Sequence, residues 1–288
     1  MPLLSPRPWR LTLDDGVTLA GDDLGPPDAP TVVLLHGAAS NRRWWDPVAA
    51  RLARRHRVVR HDHCGHGQSA NPAGGCTVDR LAADAAAVVD RLGPGPVVLA
   101  GHSAGAAVAL TVAVTRPDLV SALACVEGGV YDPRLCFGAD WQHARRRMLR
   151  DRRGHPTVPV LREWLRANDL SANALPCLLA NYRDAGDGRL RLRLHPDHEE
   201  QLAHSLWTQE PQLLLDALRA PVLVVAALDD DRNRRRRESI RQARQVLADR
   251  VEVRWLPGGH DLPLEQPVLV AAALADFAEA ATLAGSRP

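Results

Sequence analysis

Short, solidly apolar runs alternate with longer helical segments along most of the chain. Each run is rich in Val, Leu and Ala, a composition typical of strands that are buried on both faces of a sheet. The predicted buried strands are Thr31–Leu35, Arg57–Arg60, Pro96–Ala100, Ala122–Val126, Pro221–Ala226 and Val251–Leu256. The predicted helices are Trp45–Arg55, Thr77–Leu92, Ala104–Val114, Ile240–Leu247 and Val268–Ala281. This alternation predicts an α/β fold in which helices cover both faces of a mostly parallel sheet.

Two segments depart from the alternation. Near the start, Trp9–Leu13 and Val17–Ala20 flank an Asp-Asp-Gly sequence, which predicts two short strands joined by a turn. From residue 131 to 210 the chain is polar, rich in arginine and helical in pattern, and it contains no convincing buried strand. We therefore expect one α/β domain over residues 1–288, with a helical insertion at 131–210.

Composition narrows the class of partner. The 36 basic and 34 acidic residues give a net charge of +2, which favours neither nucleic acid nor a membrane surface, so we expect a small-molecule substrate. No stretch approaches the ~18 apolar residues that a membrane helix needs. The five cysteines are scattered and contain no CxxC pair. This usage is typical of reduced thiols in the cytoplasm, where we expect the protein to reside. The oligomeric state is left open.

A nucleophile motif lies between a predicted strand and a predicted helix. Residues 101–105 read Gly-His-Ser-Ala-Gly, the G-x-S-x-G pattern of a nucleophile elbow. The turn is tight, so the positions beside the nucleophile must be small, as Gly101 and Gly105 are. This context predicts that the hydroxyl of Ser103 points out of the sheet at the helix N-terminus, where the helix dipole favours negative charge.

A serine hydroxyl needs a base to accept its proton. The best candidate is His260, in a Pro-Gly-Gly-His-Asp loop that follows the last predicted strand. The two glycines allow this loop to fold over the strand ends. The order of serine first and histidine last along the chain also fits the arrangement of such sites.

Further motifs resemble the α/β-hydrolase superfamily over nearly the whole chain. They are the His36-Gly37-Ala38-Ala39 sequence after the first buried strand and the loop from His61 to Ser69, which is similar to the D-x-R-G-x-G-x-S pattern of the family. The resemblance implies the α/β-hydrolase fold, a helical cap at 131–210 over the active site, and no cofactor. It also implies an oxyanion hole formed by the backbone N–H groups of Ala38 and Ala104.

The resemblance leaves two candidates for the acid that orients the histidine. The usual family position follows the strand that ends at Ala226, and the spacing there selects Asp230 from three consecutive aspartates. In some members, such as haloalkane dehalogenases, the acid follows the preceding strand, where Glu127 lies. Either position satisfies the same geometric role. We favour Asp230 and keep Glu127 as the alternative.

Other side chains are candidates for substrate binding or charge recognition. The substrate-binding candidates are Trp44, Trp45, His102 and Trp141. The loop with His61, His63, Cys64 and His66 contains ligand types that suit zinc. The family pattern already accounts for that loop, so we expect no metal. The run Arg234–Arg237 is typical of a solvated helix face.

These features predict a serine hydrolase that cleaves a carboxylic ester, lactone or thioester by acyl transfer. Serine attacks a carbonyl carbon, whereas the aspartate nucleophile of haloalkane dehalogenases attacks an alkyl carbon. Two alternatives stay open because a fold does not fix a function. One is a non-hydrolytic enzyme on the same fold, such as a natural-product cyclase, a lyase or a cofactor-free haloperoxidase. The other is a ligand-binding receptor.

Overall fold

A central sheet of eight strands organises the computed structural model, which describes residues 5–93, 95–149, 156–228 and 233–285. The strands, in chain order and including a separate two-stranded hairpin (β7 and β8), are β1 Arg7–Thr12, β2 Thr18–Leu24, β3 Thr31–Leu35, β4 Arg57–His61, β5 Val97–His102, β6 Val120–Val126, β7 Tyr182–Asp184, β8 Leu190–Leu192, β9 Val222–Ala227 and β10 Val251–Leu256. The order across the large sheet is β1-β2-β4-β3-β5-β6-β9-β10.

Most strand pairs are parallel. Only β2 runs against its neighbours β1 and β4, and the pairs from β4 to β10 are all parallel. The mostly parallel sheet predicted from the apolar runs is therefore confirmed. Because the carboxyl ends of parallel strands lie at one edge of a sheet, the loops after β3, β5, β6 and β10 meet there.

Helices cover both faces of this sheet. The α-helices are α1 Asp46–Leu52, α2 Val78–Asp90, α3 Ala104–Thr115, α4 Pro133–Phe137, α5 Trp141–Met148, α6 Val158–Ala167, α7 Leu175–Leu179, α8 Pro196–Thr208, α9 Pro211–Ala217, α10 Asn233–Leu247, α11 Leu262–Glu265 and α12 Pro267–Gly285. Short 3-10 helices span Arg42–Trp45, Ala172–Ala174 and Ala248–Arg250. Among the described residues, no helix is both long and apolar enough to cross a membrane.

The core divides into two layers because side chains alternate across each strand. In β5, Val97 and Leu99 pack with α2, α3 and α10, whereas Val98 and Ala100 pack with α1 and α12. Helix α3 is almost wholly buried and consists mainly of Ala and Val, which allows it to lie close to the sheet directly behind the elbow.

The segment 131–210 is mainly helical, as its pattern indicates, but it also contains the β7–β8 hairpin. This hairpin was missed because its strands are three residues long and contain no buried residue, so no buried apolar run marks them. A small core of its own joins α6 and α7 to Trp44 of the main domain. The segment thus packs over the carboxyl edge of the sheet.

Candidate active site

Ser103 lies in a strained turn between β5 and α3. Its backbone has φ 55° and ψ −120°, a conformation that non-glycine residues rarely adopt. A Cβ on Gly101 would lie 2.1 Å from the oxygen of Gly105, and one on Gly128 would lie 2.4 Å from the oxygen of Ser103. The small neighbours are therefore a steric requirement of the turn. Backbone strain held this way is common at functional sites.

His260 is in hydrogen-bond contact with the serine. Its Nε2 lies 3.0 Å from Oγ of Ser103, and its side chain is one-third exposed. Two groups hold the loop that carries it. The carboxylate of Glu265 accepts hydrogen bonds from the N–H groups of Gly259 and Asp261, and His102 Nε2 donates to the carbonyl of His260 at 2.8 Å.

Glu127 lies on the far side of the imidazole. It follows β6 directly, with φ 52°, and its Oε2 is 3.4 Å from Nδ1 of His260. The other carboxylate oxygen accepts hydrogen bonds from the N–H of Ala227 at 2.6 Å and from the hydroxyl of Tyr131 at 3.2 Å. The side chain of Glu127 has no exposed surface. A buried carboxylate therefore contacts the nitrogen opposite to the one that faces the serine.

Arg236 helps to keep this buried carboxylate charged. Its guanidinium is 2.6 Å from Oε2 of Glu127, lies 3.4 Å from Nδ1 of His260 and stacks over the ring of Tyr131. Burial works to raise the pKa of Glu127, but the hydrogen bond to His260 and the charge of Arg236 outweigh it, so the pKa lies below its usual value. Glu127 is consequently an anion at neutral pH.

The sequence-favoured acid, Asp230, lies outside the described residues, as do its neighbours Asp229 and Asp231. Of the two candidates, only Glu127 can therefore be compared with the histidine. Glu127 is in contact with His260, although the sequence spacing favoured Asp230 over it.

Ala38 and Ala104 both line the cavity that contains Ser103. Ala38 follows β3, and Ala104 is the first residue of α3, where backbone N–H groups have no partner within the helix. A Cβ on Gly37 would lie 3.2 Å from Cβ of Ser103, so the β3 loop passes close to the elbow. The two alanines thus flank the serine, as an oxyanion hole requires.

Buried histidines brace the β3 loop. His36 Nε2 accepts from the N–H of His63, and His63 Nε2 donates to the carbonyl of His36. His66 Nε2 accepts from the N–H of Ala39. Burial, together with the neighbouring imidazoles, holds the pKa values of His36 and His63 well below the usual value. These rings are therefore neutral hydrogen-bonding groups. Nowhere in the described ranges do three His, Cys, Asp or Glu side chains form a group that could hold a metal ion.

Two cavities meet at the serine. The first, of about 290 Å³, contains charged side chains and is here named the charged chamber; its lining includes Glu127, Tyr131, Phe137, Arg147, Glu199, Leu206 and Arg236. The second, of about 390 Å³, is named the aromatic chamber; its lining includes Gly37, Ser40, Trp44, His102, Leu161, Trp164 and Tyr182. Both also include Ala38, Ser103 and His260, and residues of the 131–210 segment line both.

Two of the four substrate-binding candidates line a cavity that contains Ser103, and the other two lie elsewhere. Trp44 and His102 line the aromatic chamber. Trp45 is fully buried in the core, with its ring edge against His102, because its position in the 3-10 helix directs it to α1 and the sheet. Trp141 packs edge-to-face against His204, and at a tilt against Trp207, in a separate surface groove. The structure brings neither Trp45 nor Trp141 to the serine.

Arg236 was missed because it belongs to a charged run. Arg234, Arg235 and Arg237 are exposed, as predicted for a solvated face, but Arg236 is only 3% exposed. The signal was present in the helical phase. Arg236 precedes Ile240 by four residues and Ala243 by seven, and both of these are buried. It therefore extends the apolar face of α10 towards the active site.

Comparisons with known proteins indicate the family and the fold of the chain. A profile of the Alpha/beta hydrolase family matches residues 32–273. A Bacillus subtilis (strain 168) protein named "Putative 2-succinyl-6-hydroxy-2,4-cyclohexadiene-1-carboxylate synthase" is 28% identical over 279 residues, which cover 93% of this chain and 97% of that protein. The "Putative carbamate hydrolase RutD" of Klebsiella pneumoniae is 28% identical over 213 residues, or 71% of this chain and 75% of that protein.

A solved structure similar in fold is that of E-2-(acetamidomethylene)succinate hydrolase. It superposes with a TM-score of 0.79 at 22% identity and covers 96% of this chain and 100% of that chain.

Proposed function

Because the chain belongs to the alpha/beta hydrolase family, we propose that it is a serine hydrolase that cleaves a carboxylic ester, lactone or thioester by acyl transfer. The observation that carries this proposal is the 3.0 Å contact between Oγ of Ser103 and Nε2 of His260 at a strained elbow. An imidazole in this position can take the hydroxyl proton as the serine attacks.

We propose Glu127, rather than Asp230, as the acid of the triad. A carbonyl, carboxylate or other acceptor at Nδ1 selects the tautomer in which Nε2 is free to accept a proton. The buried, ionised carboxylate of Glu127 lies 3.4 Å from Nδ1, which supports this role. Arg236 acts as a positioning residue, because its ion pair holds the carboxylate beside the ring.

The reaction follows from these positions. Oγ of Ser103 attacks the carbonyl carbon while its proton passes to Nε2 of His260, and the imidazolium is stabilised by the negative charge of Glu127. The N–H groups of Ala38 and Ala104 stabilise the oxyanion. His260 then returns the proton to the leaving group, which departs and leaves an acyl ester on Ser103. Water, deprotonated by the same imidazole, attacks that ester and releases the carboxylic acid.

We propose that the 131–210 segment acts as a cap that encloses both ends of the substrate. It supplies Phe137 and Leu206 to the charged chamber, and Leu161, Trp164 and Tyr182 to the aromatic chamber. The two volumes of about 290 and 390 Å³ together lie in the range of ~300–1,000 Å³ that is usual for small-molecule sites. One chamber can hold the acyl group while the other holds the leaving group.

A non-hydrolytic enzyme is the second candidate, and one comparison favours it. The Bacillus subtilis relative that matches 93% of this chain is named as a synthase. Such an enzyme can use the same serine and histidine for proton transfer without forming an acyl ester.

A substrate panel separates these functions. Matched esters, lactones and thioesters are incubated with the protein and with Ser103→Ala, and release of the carboxylic acid is followed by titration at constant pH. The proposal predicts acid release that requires Ser103. Conversion of a substrate without release of acid would favour the non-hydrolytic enzyme. Tight binding without any turnover would favour the receptor.

A further inference from the structure

The loop that carries His260 wraps around the carboxylate of Glu265. One carboxylate oxygen accepts from the N–H of Gly259, and the other accepts from the N–H of Asp261 at 3.0 Å. These two N–H groups come immediately before and after His260 along the chain. Glu265 belongs to α11, which begins directly after the loop, so its side chain turns back to reach them. A single carboxylate thus binds the backbone on both sides of the histidine, through hydrogen bonds strengthened by its charge.

The peptide group that follows His260 is held at both ends. Its carbonyl oxygen, which belongs to His260, accepts from Nε2 of His102 at 2.8 Å, and its N–H, which belongs to Asp261, donates to Glu265. Because a peptide group is planar, bonds to its oxygen and its nitrogen fix the orientation of the whole group. The direction of the Cα–Cβ bond of His260 depends on the backbone on either side of it, so these bonds determine where the imidazole points.

The contacts of the imidazole itself hold it less firmly. Nε2 is 3.0 Å from Oγ of Ser103, Nδ1 is 3.4 Å from Glu127, and the side chain is one-third exposed. A contact of 3.4 Å is longer than the usual hydrogen bond of about 2.9 Å. A displacement of about 1 Å in an active site can reduce the rate about 10²-fold. The backbone of the loop must therefore supply part of the positioning.

The two glycines before His260 leave room for this carboxylate. A Cβ on Gly258 would lie 2.6 Å from Oε2 of Glu265, and one on Gly259 would lie 3.2 Å from Oε1. Gly258 also has φ 118°, which L side chains rarely adopt, whereas Gly259 lies outside that region. Backbone conformation therefore requires glycine only at position 258. At position 259 the requirement comes from the closeness of the carboxylate.

We propose that Glu265 is a positioning residue that acts on catalysis through the backbone of His260, an inference that rests on the serine-hydrolase function above. Its carboxylate keeps Nε2 within hydrogen-bond distance of Oγ of Ser103 while the imidazole takes up the serine proton and returns it. Within the described part of the chain, Glu265 belongs to the lining of neither chamber. It should therefore affect the rate of proton transfer and leave substrate binding unchanged, whereas a carboxylate that only caps α11 would affect stability alone.

The test compares Glu265→Ala and Glu265→Gln with the parent protein in the hydrolysis of p-nitrophenyl butanoate, and urea denaturation gives the folded fraction of each. Alanine removes both acceptors, so we expect kcat per folded molecule to fall about 100-fold while KM stays within about twofold. Glutamine keeps one acceptor oxygen, so kcat should fall only about tenfold. The control is Glu279→Ala, which removes an exposed carboxylate from the neighbouring α12 and should change neither constant.

Gly259→Ala tests the same contact from the side of the loop. In the parent protein its Cβ presses on the carboxylate, and we expect kcat to fall about threefold or more. In the Glu265→Ala background the carboxylate is absent, so the same substitution should cause no further loss. Losses that simply add in the double variant would overturn the proposal that the carboxylate acts through this loop.

Fluorophosphonate labelling of Ser103 is followed in parallel, because it needs the same proton transfer but no turnover of an ester. If Glu265→Ala lowers stability but leaves kcat and the labelling rate at the parental values, the positioning role is overturned and the serine hydrolase stays intact. A rise in KM with kcat unchanged would also overturn it. If the parent protein is labelled but hydrolyses no ester, the hydrolase function fails, and the labelling rates of the variants still decide the positioning role. A parent protein that is not labelled would refute both.

Discussion

Replacing Glu127 by glutamine isolates the charge of the proposed triad acid. Glutamine has nearly the same size, and its oxygen can still accept from Ala227 and Tyr131, as Oε1 of the carboxylate does. The change removes the negative charge that faces Nδ1 of His260 at 3.4 Å. An amide at this position can also donate to Nδ1, which stabilises the tautomer that cannot accept the serine proton. We therefore expect kcat to fall about 10³- to 10⁴-fold.

The same substitution also affects stability, because Arg236 is 2.6 Å from the carboxylate and both side chains are almost fully buried. Removing one partner of a buried ion pair lowers the free energy of unfolding by about 3–5 kcal/mol. We expect the lower end because the amide oxygen still accepts from Ala227 and Tyr131, so that only Arg236 loses its partner. A domain with a free energy of unfolding of about 5–15 kcal/mol remains mostly folded after this loss. Urea denaturation measured with the kinetics separates loss of folding from loss of catalysis.

Asp230→Asn is the matched control, since it makes the same chemical change at the rival position. We expect its kcat to stay within about threefold of the parent protein. Both variants are assayed with the same activated ester, and rates are normalised to the folded fraction. Full activity in Glu127→Gln together with a loss of 10³-fold or more in Asp230→Asn would refute the assignment of Glu127.

Three further predictions concern the elbow, the buried histidines and the ion pair. Gly128→Ala places a Cβ 2.4 Å from the backbone carbonyl oxygen of Ser103, so we expect kcat to fall at least ~10-fold and Tm to fall. Gly74→Ala is the control: nothing lies within 4 Å of its Cβ, and neither kcat nor Tm should change. His61 has its pKa lowered by burial to about 4, so only the unfolded state gains its proton between pH 6.5 and 4, and stability is lost as the pH falls through that window. His61→Phe should flatten the pH dependence of the free energy of unfolding by up to ~1.4 kcal/mol per pH unit there, and an unchanged slope would contradict the prediction. Arg236→Met should lower the free energy of unfolding by about 3 kcal/mol or more. The double variant with Glu127→Gln should lose less free energy of unfolding than the sum of the two single variants, and full additivity in urea denaturation would argue against coupling.

Most of the sheet could be predicted from sequence because its central strands, β3 to β6 and β9, are buried on both faces. Runs such as Thr31–Leu35 and Pro221–Ala226 are almost entirely apolar, and the six predicted buried strands lie within about two residues of the observed ones. The predicted strand Val17–Ala20 is less accurate, because the observed β2 continues to Leu24. The contact between Ser103 and His260 could be anticipated because the elbow has strict steric requirements for glycine and the final loop turns at Gly258, which has φ 118°. Gly101 and Gly105 show that requirement directly, since added side chains would contact the backbone.

The remaining parts of the site depend on contacts that are distant in sequence. The spacing after β9 favoured Asp230, but the position of Glu127 beside His260 follows from the pairing of β6 with β5 and β9. Arg236 reaches the same carboxylate from α10, more than 100 residues further along the chain. Trp45 turned towards the core rather than the cavity, because adjacent residues of a short helix face different directions. Local patterns do not encode these three-dimensional relations.

We infer from the contact between their side chains that His260 activates Ser103 as a nucleophile. The most direct measurement is intact-protein mass spectrometry after exposure to a fluorophosphonate, with Ser103→Ala and His260→Ala treated in parallel. We expect a single adduct on the parent protein, mapped to Ser103, absent in Ser103→Ala and strongly reduced in His260→Ala. An unmodified parent protein, or an adduct that persists when Ser103 is replaced, would contradict it.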